Sequence, residues 1–201
     1  MTGSTPGLHP AQNRGLRELY AGARQLEEHW RALAARLAAG EGVEDLRAGA
    51  DTARELLVEL ADVTAGYGLY GFPAAQTVGA RVAGLRNAVA DRTLERNQAL
   101  RMAVLDVQHV VTLCGYLREL AVARGDEPLA EFCGRWERKL RRLEGRVRKA
   151  AVGCGAEPDA AIEPVDHGPL GRAGHRLASL GGTVGEWVDR RTAQRRGAGP
   201  G

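Results

Sequence analysis

The chain has 201 residues, 44% hydrophobic but only 4% aromatic, with a formal net charge of +3. That length holds one domain with a sizeable core plus a tail, and an interior filled by Leu, Val and Ala favours helix over sheet. The small charge does not by itself imply nucleic acid. No apolar run approaches the ~20 residues of a membrane span, and the first residues lack the basic and apolar regions of a signal peptide.

Residues 1–10 read as a polar, flexible N-terminus. From about Ala11 to Ala39 the residues Leu16, Leu19, Ala23, Leu26, Trp30, Leu33 and Leu37 fall three and four apart. That is a bundle seam, ended by Gly40 and Gly42. A second helix is predicted from about Val43 to Ala65, with Leu46, Ala50, Ala53, Leu57, Leu60 and Thr64 inward. It runs into Gly66, Gly68 and Gly71 interleaved with Tyr67, Tyr70 and Phe72, where glycines are expected to allow close backbone approach and aromatics to supply buried area.

Pro73 suits the first turn of a third helix, marked by Val78, Val82, Leu85 and Val89. The fourth helix, about Leu94 to Arg124, is apolar nearly all round, which predicts that other helices surround it. Leu57 and Leu105 are both expected in the core, where truncation to alanine costs ~2–5 kcal/mol. Gly125 stops this helix, Asp126 is placed to cap the fifth, and Pro128 sits just inside it. The fifth carries Leu129, Cys133, Trp136, Leu140, Leu143, Val147 and Ala150 as its seam.

The domain reading is a helical bundle over 11–152, a Pro-containing acidic linker over 153–169, an amphipathic C-terminal helix over 170–196 and a flexible tail over 197–201. The fold class is all-α: an antiparallel up-and-down helical bundle of four to five helices, plus that C-terminal helix. Cys114, Cys133 and Cys154 are odd in number and widely spaced, as in a cytoplasmic chain with reduced thiols, and the first two sit on apolar seams.

The second helix and its turn carry a family resemblance. Gly68, Tyr70, Gly71 and Phe72 follow a pattern of small, apolar, glycine and apolar residues, with Leu60 and Val63 at apolar positions flanking Ala61 in the helix before it. This resembles the histidine phosphotransfer (HPt) domain, whose helix carries His-x-x-Lys-Gly before such a turn. The likeness is sharp over residues 60–85 and extends over 43–151 as a helix count. The phosphorylated histidine falls at Ala61, the supporting lysine at Thr64 and the following glycine at Ala65. The resemblance therefore implies a phosphotransfer fold without its chemistry. It also implies a surviving docking face at Ala61, Asp62, Thr64, Ala65, Gly68, Tyr70 and Gly71, which in the family meets a receiver domain.

Other constellations point elsewhere. Asp106 and His109, three apart on the fourth helix, form half of a bundle di-metal site, with Glu55, Glu59 and Asp62 as possible further carboxylates. The competing reading is a His109 bonded to Asp106 inside the bundle, and His29 is expected to be solvated. The fifth helix presents a basic face of Arg135, Arg138, Lys139, Arg142, Arg146 and Lys149, suited to nucleic acid or an anionic surface.

The leading functional expectation is a non-catalytic α-helical interaction or adaptor domain. It needs no cofactor, and its partner is a protein such as a response regulator or kinase. The alternatives are a nucleic-acid or anionic-surface binder and a bundle enzyme or metal protein using Asp106 and His109. An exposed seam also permits a homodimer.

Overall fold

Four long helices follow from the seams. The computed structural model describes residues 8–37, 40–69, 94–166 and 168. They form α1 (Pro10–Leu37), α2 (Val43–Gly66), α3 (Arg96–Ala123) and α4 (Glu127–Gly153). A 3-10 turn at Cys154–Ala156 and a short α5 (Pro158–Ala161) follow. α3 and α4 are the fourth and fifth helices of the sequence reading. The protein is an all-α helical bundle, and among the described residues no helix is long and apolar enough to cross a membrane.

α1 packs on α2 and α3, and α4 packs on α3 and α2. Every such pair is antiparallel. Arg31 reaches Asp51 between α1 and α2, while Gly15 lies over Leu117 and Gly22 over Val110 between α1 and α3. Asp45, Glu55 and Glu59 of α2 meet Arg146, Lys139 and Arg135 of α4 in reverse order. α2 and α3 therefore point the same way, and the chain leaves α2 at one end of the bundle and enters α3 at the other. The helix expected at 73–89 and the C-terminal helix expected over 170–196 lie outside the described residues.

The α1 seam is as predicted: Leu16, Leu19, Ala23, Leu26, Trp30, Leu33 and Leu37 are all buried. In α2 the expected Leu46, Ala50, Ala53, Leu60 and Thr64 are buried, but Leu56 is fully buried and Leu57 only partly, because the buried face widens towards the flank of Gly49, seven residues before Leu56, where Trp30 packs. Leu105 is 55% exposed, so the expectation that it lies in the core is corrected. α3 buries its seam of Leu100, Ala103, Val107, Val110, Cys114, Leu117 and Ala121 against α1 and α4. Met102, Leu105 and Tyr116 are left on the outside.

The stretch read as a linker is anchored to the start of α3 up to Val165. Arg96 N donates to Glu163 O at 2.9 Å, Val165 N to Leu94 O at 3.1 Å, and Asn97 Nδ2 to Ala161 O at 2.7 Å. Val165 is fully buried beneath these bonds.

Candidate functional site

Two helix ends close the bundle at one end, and both end the same way. Gly68, at φ +68°, lets Leu69 N reach Thr64 O at 3.0 Å and Gly68 N reach Ala65 O at 2.9 Å. Gly125, also at φ +68°, lets Asp126 N reach Ala121 O at 2.9 Å and Gly125 N reach Val122 O at 3.1 Å. These are paired Schellman motifs, each built on a left-handed residue that glycine adopts without strain.

The two ends are tied together by Tyr67, whose hydroxyl donates to Asp126 Oδ2 at 2.7 Å. The other carboxylate oxygen of Asp126 accepts from Leu129 N at 3.3 Å and caps α4, as its sequence position suggested. Burial, and then the hydrogen bond to Asp126, push the Tyr67 phenol above its ordinary range.

Beside this bond opens a cleft of about 480 Å³. Leu8, Val63, Tyr67, Pro128 and Leu129 form its apolar walls, and Gln12, Asp62, Arg124 and Asp126 supply polar groups. Gln12 is almost fully buried, with its side-chain carbonyl accepting from His9 N at 3.1 Å. Cap geometry made Asp126 legible in the sequence. The cleft was not legible, because it is assembled from the ends of four helices whose neighbourhood only packing decides.

Of the docking residues read from the HPt-like turn, Asp62, Ala65 and Gly68 are exposed and Ala61 is half-buried. Thr64 turns into the bundle, and its hydroxyl donates to Leu60 O at 2.9 Å and to Ala61 O at 3.0 Å, so it presents nothing to a partner. Tyr70 and Gly71 lie outside the described residues.

Asp106 and His109 do not pair with each other. Both face α1, and each takes its own partner there. Asp106 Oδ2 is hydrogen-bonded to His29 Nδ1, with both side chains largely buried. His109 Nε2 lies 3.4 Å from Glu18, with both 56% exposed. His29 is thus an interhelical residue rather than a solvated one. Glu55 and Glu59, the proposed extra metal carboxylates, point at α4 instead. Among the described residues no group of three His, Cys, Asp or Glu side chains comes together as a metal site.

The basic face of α4 is half engaged. Arg135 meets Glu59 at 2.6 Å, Lys139 meets Glu55 at 2.5 Å and Arg146 meets Asp45 at 2.7 Å. Glu59 also accepts from Trp136 Nε1 at 3.1 Å, and the Lys139 ammonium sits 4.7 Å from the Trp136 ring centre. Arg138, Arg142 and Lys149 are exposed and make no ion pair among the described residues.

Cys114 and Cys133 are fully buried, and burial raises both thiols, Cys133 to about 12. Neither is poised as a nucleophile. The half-buried Cys154 is the third free thiol. No protein-family model, curated protein or solved structure matches this chain.

Proposed function

We propose that this chain is a non-catalytic helical interaction domain: an HPt-like adaptor, without the phosphorylatable histidine, that docks a receiver domain or kinase through the Tyr67–Asp126 end of its bundle. The observation that carries this reading is the cleft beside Asp62. It is apolar in its walls and polar at a few fixed points, which suits one inserted side chain from a protein partner. The small exposed residues Ala65 and Gly68 leave room for a second backbone to approach the same end. Ala61 stands where the family's histidine stands, so the surface binds without accepting a phosphoryl group.

Purified receiver domains and histidine kinases of the same cell, titrated against the full-length chain, test this. Saturable binding lost on Asp62→Arg is the expected result. Binding that ignores this substitution, or no binding of any receiver or kinase, overturns the assignment.

A second reading, nucleic acid or another anionic surface, rests on Arg138, Arg142 and Lys149. It is the weaker one, because α2 carboxylates occupy Arg135, Lys139 and Arg146. Duplex binding whose affinity does not fall as salt rises removes it.

A further inference from the structure

α3 carries two seams rather than one. The inner seam is spent on α1 and α4. On the outer face Met102, Leu105, His109, Thr112 and Tyr116 recur at three- and four-residue intervals over about 21 Å of helix. Met102 is 45%, Leu105 55% and Tyr116 50% exposed. Single exposed apolar side chains are ordinary, but a row of them at heptad spacing is a docking pattern.

We propose that a second copy of this chain docks here, α3 against α3 of the partner subunit, antiparallel across a two-fold axis near His109. The row is self-complementary about that residue. Met102 and Tyr116 each lie seven positions from His109, and Leu105 and Thr112 lie four and three positions away. Antiparallel pairing sets Met102 against Tyr116 of the partner subunit, a thioether on an aromatic ring, and does so twice.

Charge selects the same orientation. Arg101 and Glu119 lie on one flank of the row, at its opposite ends. Among the described residues each is bonded to its own helix, Arg101 to Asn97 at 2.8 Å and Glu119 to Arg118 at 2.8 Å. The antiparallel arrangement brings Arg101 beside Glu119 of the partner subunit on the same flank. A parallel arrangement puts the two equivalent flanks on opposite sides of the interface, so Arg101 and Glu119 do not meet. Each His109 keeps Glu18 of its own α1 at 3.4 Å, so the imidazole at the centre of the interface stays beside a polar group of its own subunit.

Sedimentation equilibrium of the full chain tests this. The wild type is expected to reach twice its 21.5 kDa mass below about 100 µM. Leu105→Glu shifts it to monomer, with a melting temperature equal to that of the wild type diluted to where it too is monomeric. Arg101→Glu and Glu119→Arg each raise the dissociation constant about tenfold, and the double swap restores it. Three results overturn the proposal: a wild type monomeric at that concentration, a dimer indifferent to Leu105→Glu, or a Leu105→Glu monomer that melts below the diluted, monomeric wild type. The last would mean that the chain's own segments cover the row. This face is separate from the Tyr67–Asp126 cleft, so Asp62→Arg leaves the mass unchanged whichever way the docking test falls.

Discussion

The part of α2 that lies in the middle of the core and its last turn both contain glycine, for opposite reasons. At Gly49 an added Cβ falls 2.2 Å from Trp30 Cζ3 and 3.1 Å from Leu143 Cδ2, so the missing side chain is the space that the Trp30 ring fills. At Gly66 and Gly68 an added Cβ meets nothing within 4 Å. Gly68 is there for its backbone angle, and Gly66 for neither room nor angle. The middle is close-packed and admits no change of volume. The end is open, and its geometry comes from hydrogen bonds at helix termini rather than from side-chain packing. A surface for a partner belongs where packing has stopped dictating the residue.

The sharpest way to break this comparison lies on the packed side. Leu56→Ala deletes a fully buried side chain beside Ala53 and Leu60 and costs ~2–5 kcal/mol, whereas Leu57→Ala, one residue on and only partly buried, costs clearly less. Denaturant melts of the two variants compare them directly, and a larger loss at Leu57 than at Leu56 would mean that α2 is rotated by about 100° from the register described.

Gly49→Ala comes next. Alanine favours a helix by up to ~1 kcal/mol over glycine, but overpacking against a buried tryptophan costs ~1–3 kcal/mol. The ring is a rigid plane held between α1 and α2, so strain wins and the variant melts lower than wild type. A higher melting temperature would show that Trp30 has room to move.

Much of the middle was legible from the sequence alone, because a seam is a local pattern. Seven α1 residues placed inward are all inward. What misled was sequence signal with no tertiary term in it. Leu105 looks like its apolar neighbours until the second seam of α3 is separated from the first. His29 looks solvated beside Glu27 and Glu28 until α3 brings Asp106 against it, 77 residues away in the chain. The glycine–aromatic cluster after α2 was read as a place of close approach. Gly66 and Gly68 meet nothing within 4 Å, and Tyr70, Gly71 and Phe72 lie outside the described residues, while close approach is made at Gly15, Gly22, Gly42 and Gly49, among others. The basic face of α4 was visible as a composition, but its partial neutralisation depends on which helix lies opposite.

On the open side the expected effects shrink. Asp126→Ala removes both the α4 cap and the acceptor of the Tyr67 hydroxyl, and costs ~1–2 kcal/mol. Tyr67→Phe removes the second interaction alone, so the difference between the two variants isolates the cap. A Tyr67→Phe loss as large as that of Asp126→Ala would assign the whole effect to the link between helix ends.

Gly66→Ala is the smallest and separates stability from function. An alanine at the last helical position gains propensity, so the melting temperature rises by the equivalent of less than ~1 kcal/mol. The same methyl projects from the wall of the cleft beside Asp62 and Tyr67, where it takes up space offered to a partner. Raised stability with weakened receiver or kinase binding is therefore the expected pair of results, read by thermal melt and by titration. Raised stability with unchanged binding would leave the cleft as an empty corner of the fold and move the docking surface elsewhere. A fall in stability would instead mean that the end of the bundle is packed as tightly as the region around Gly49, and the contrast between the two glycine sites would be lost.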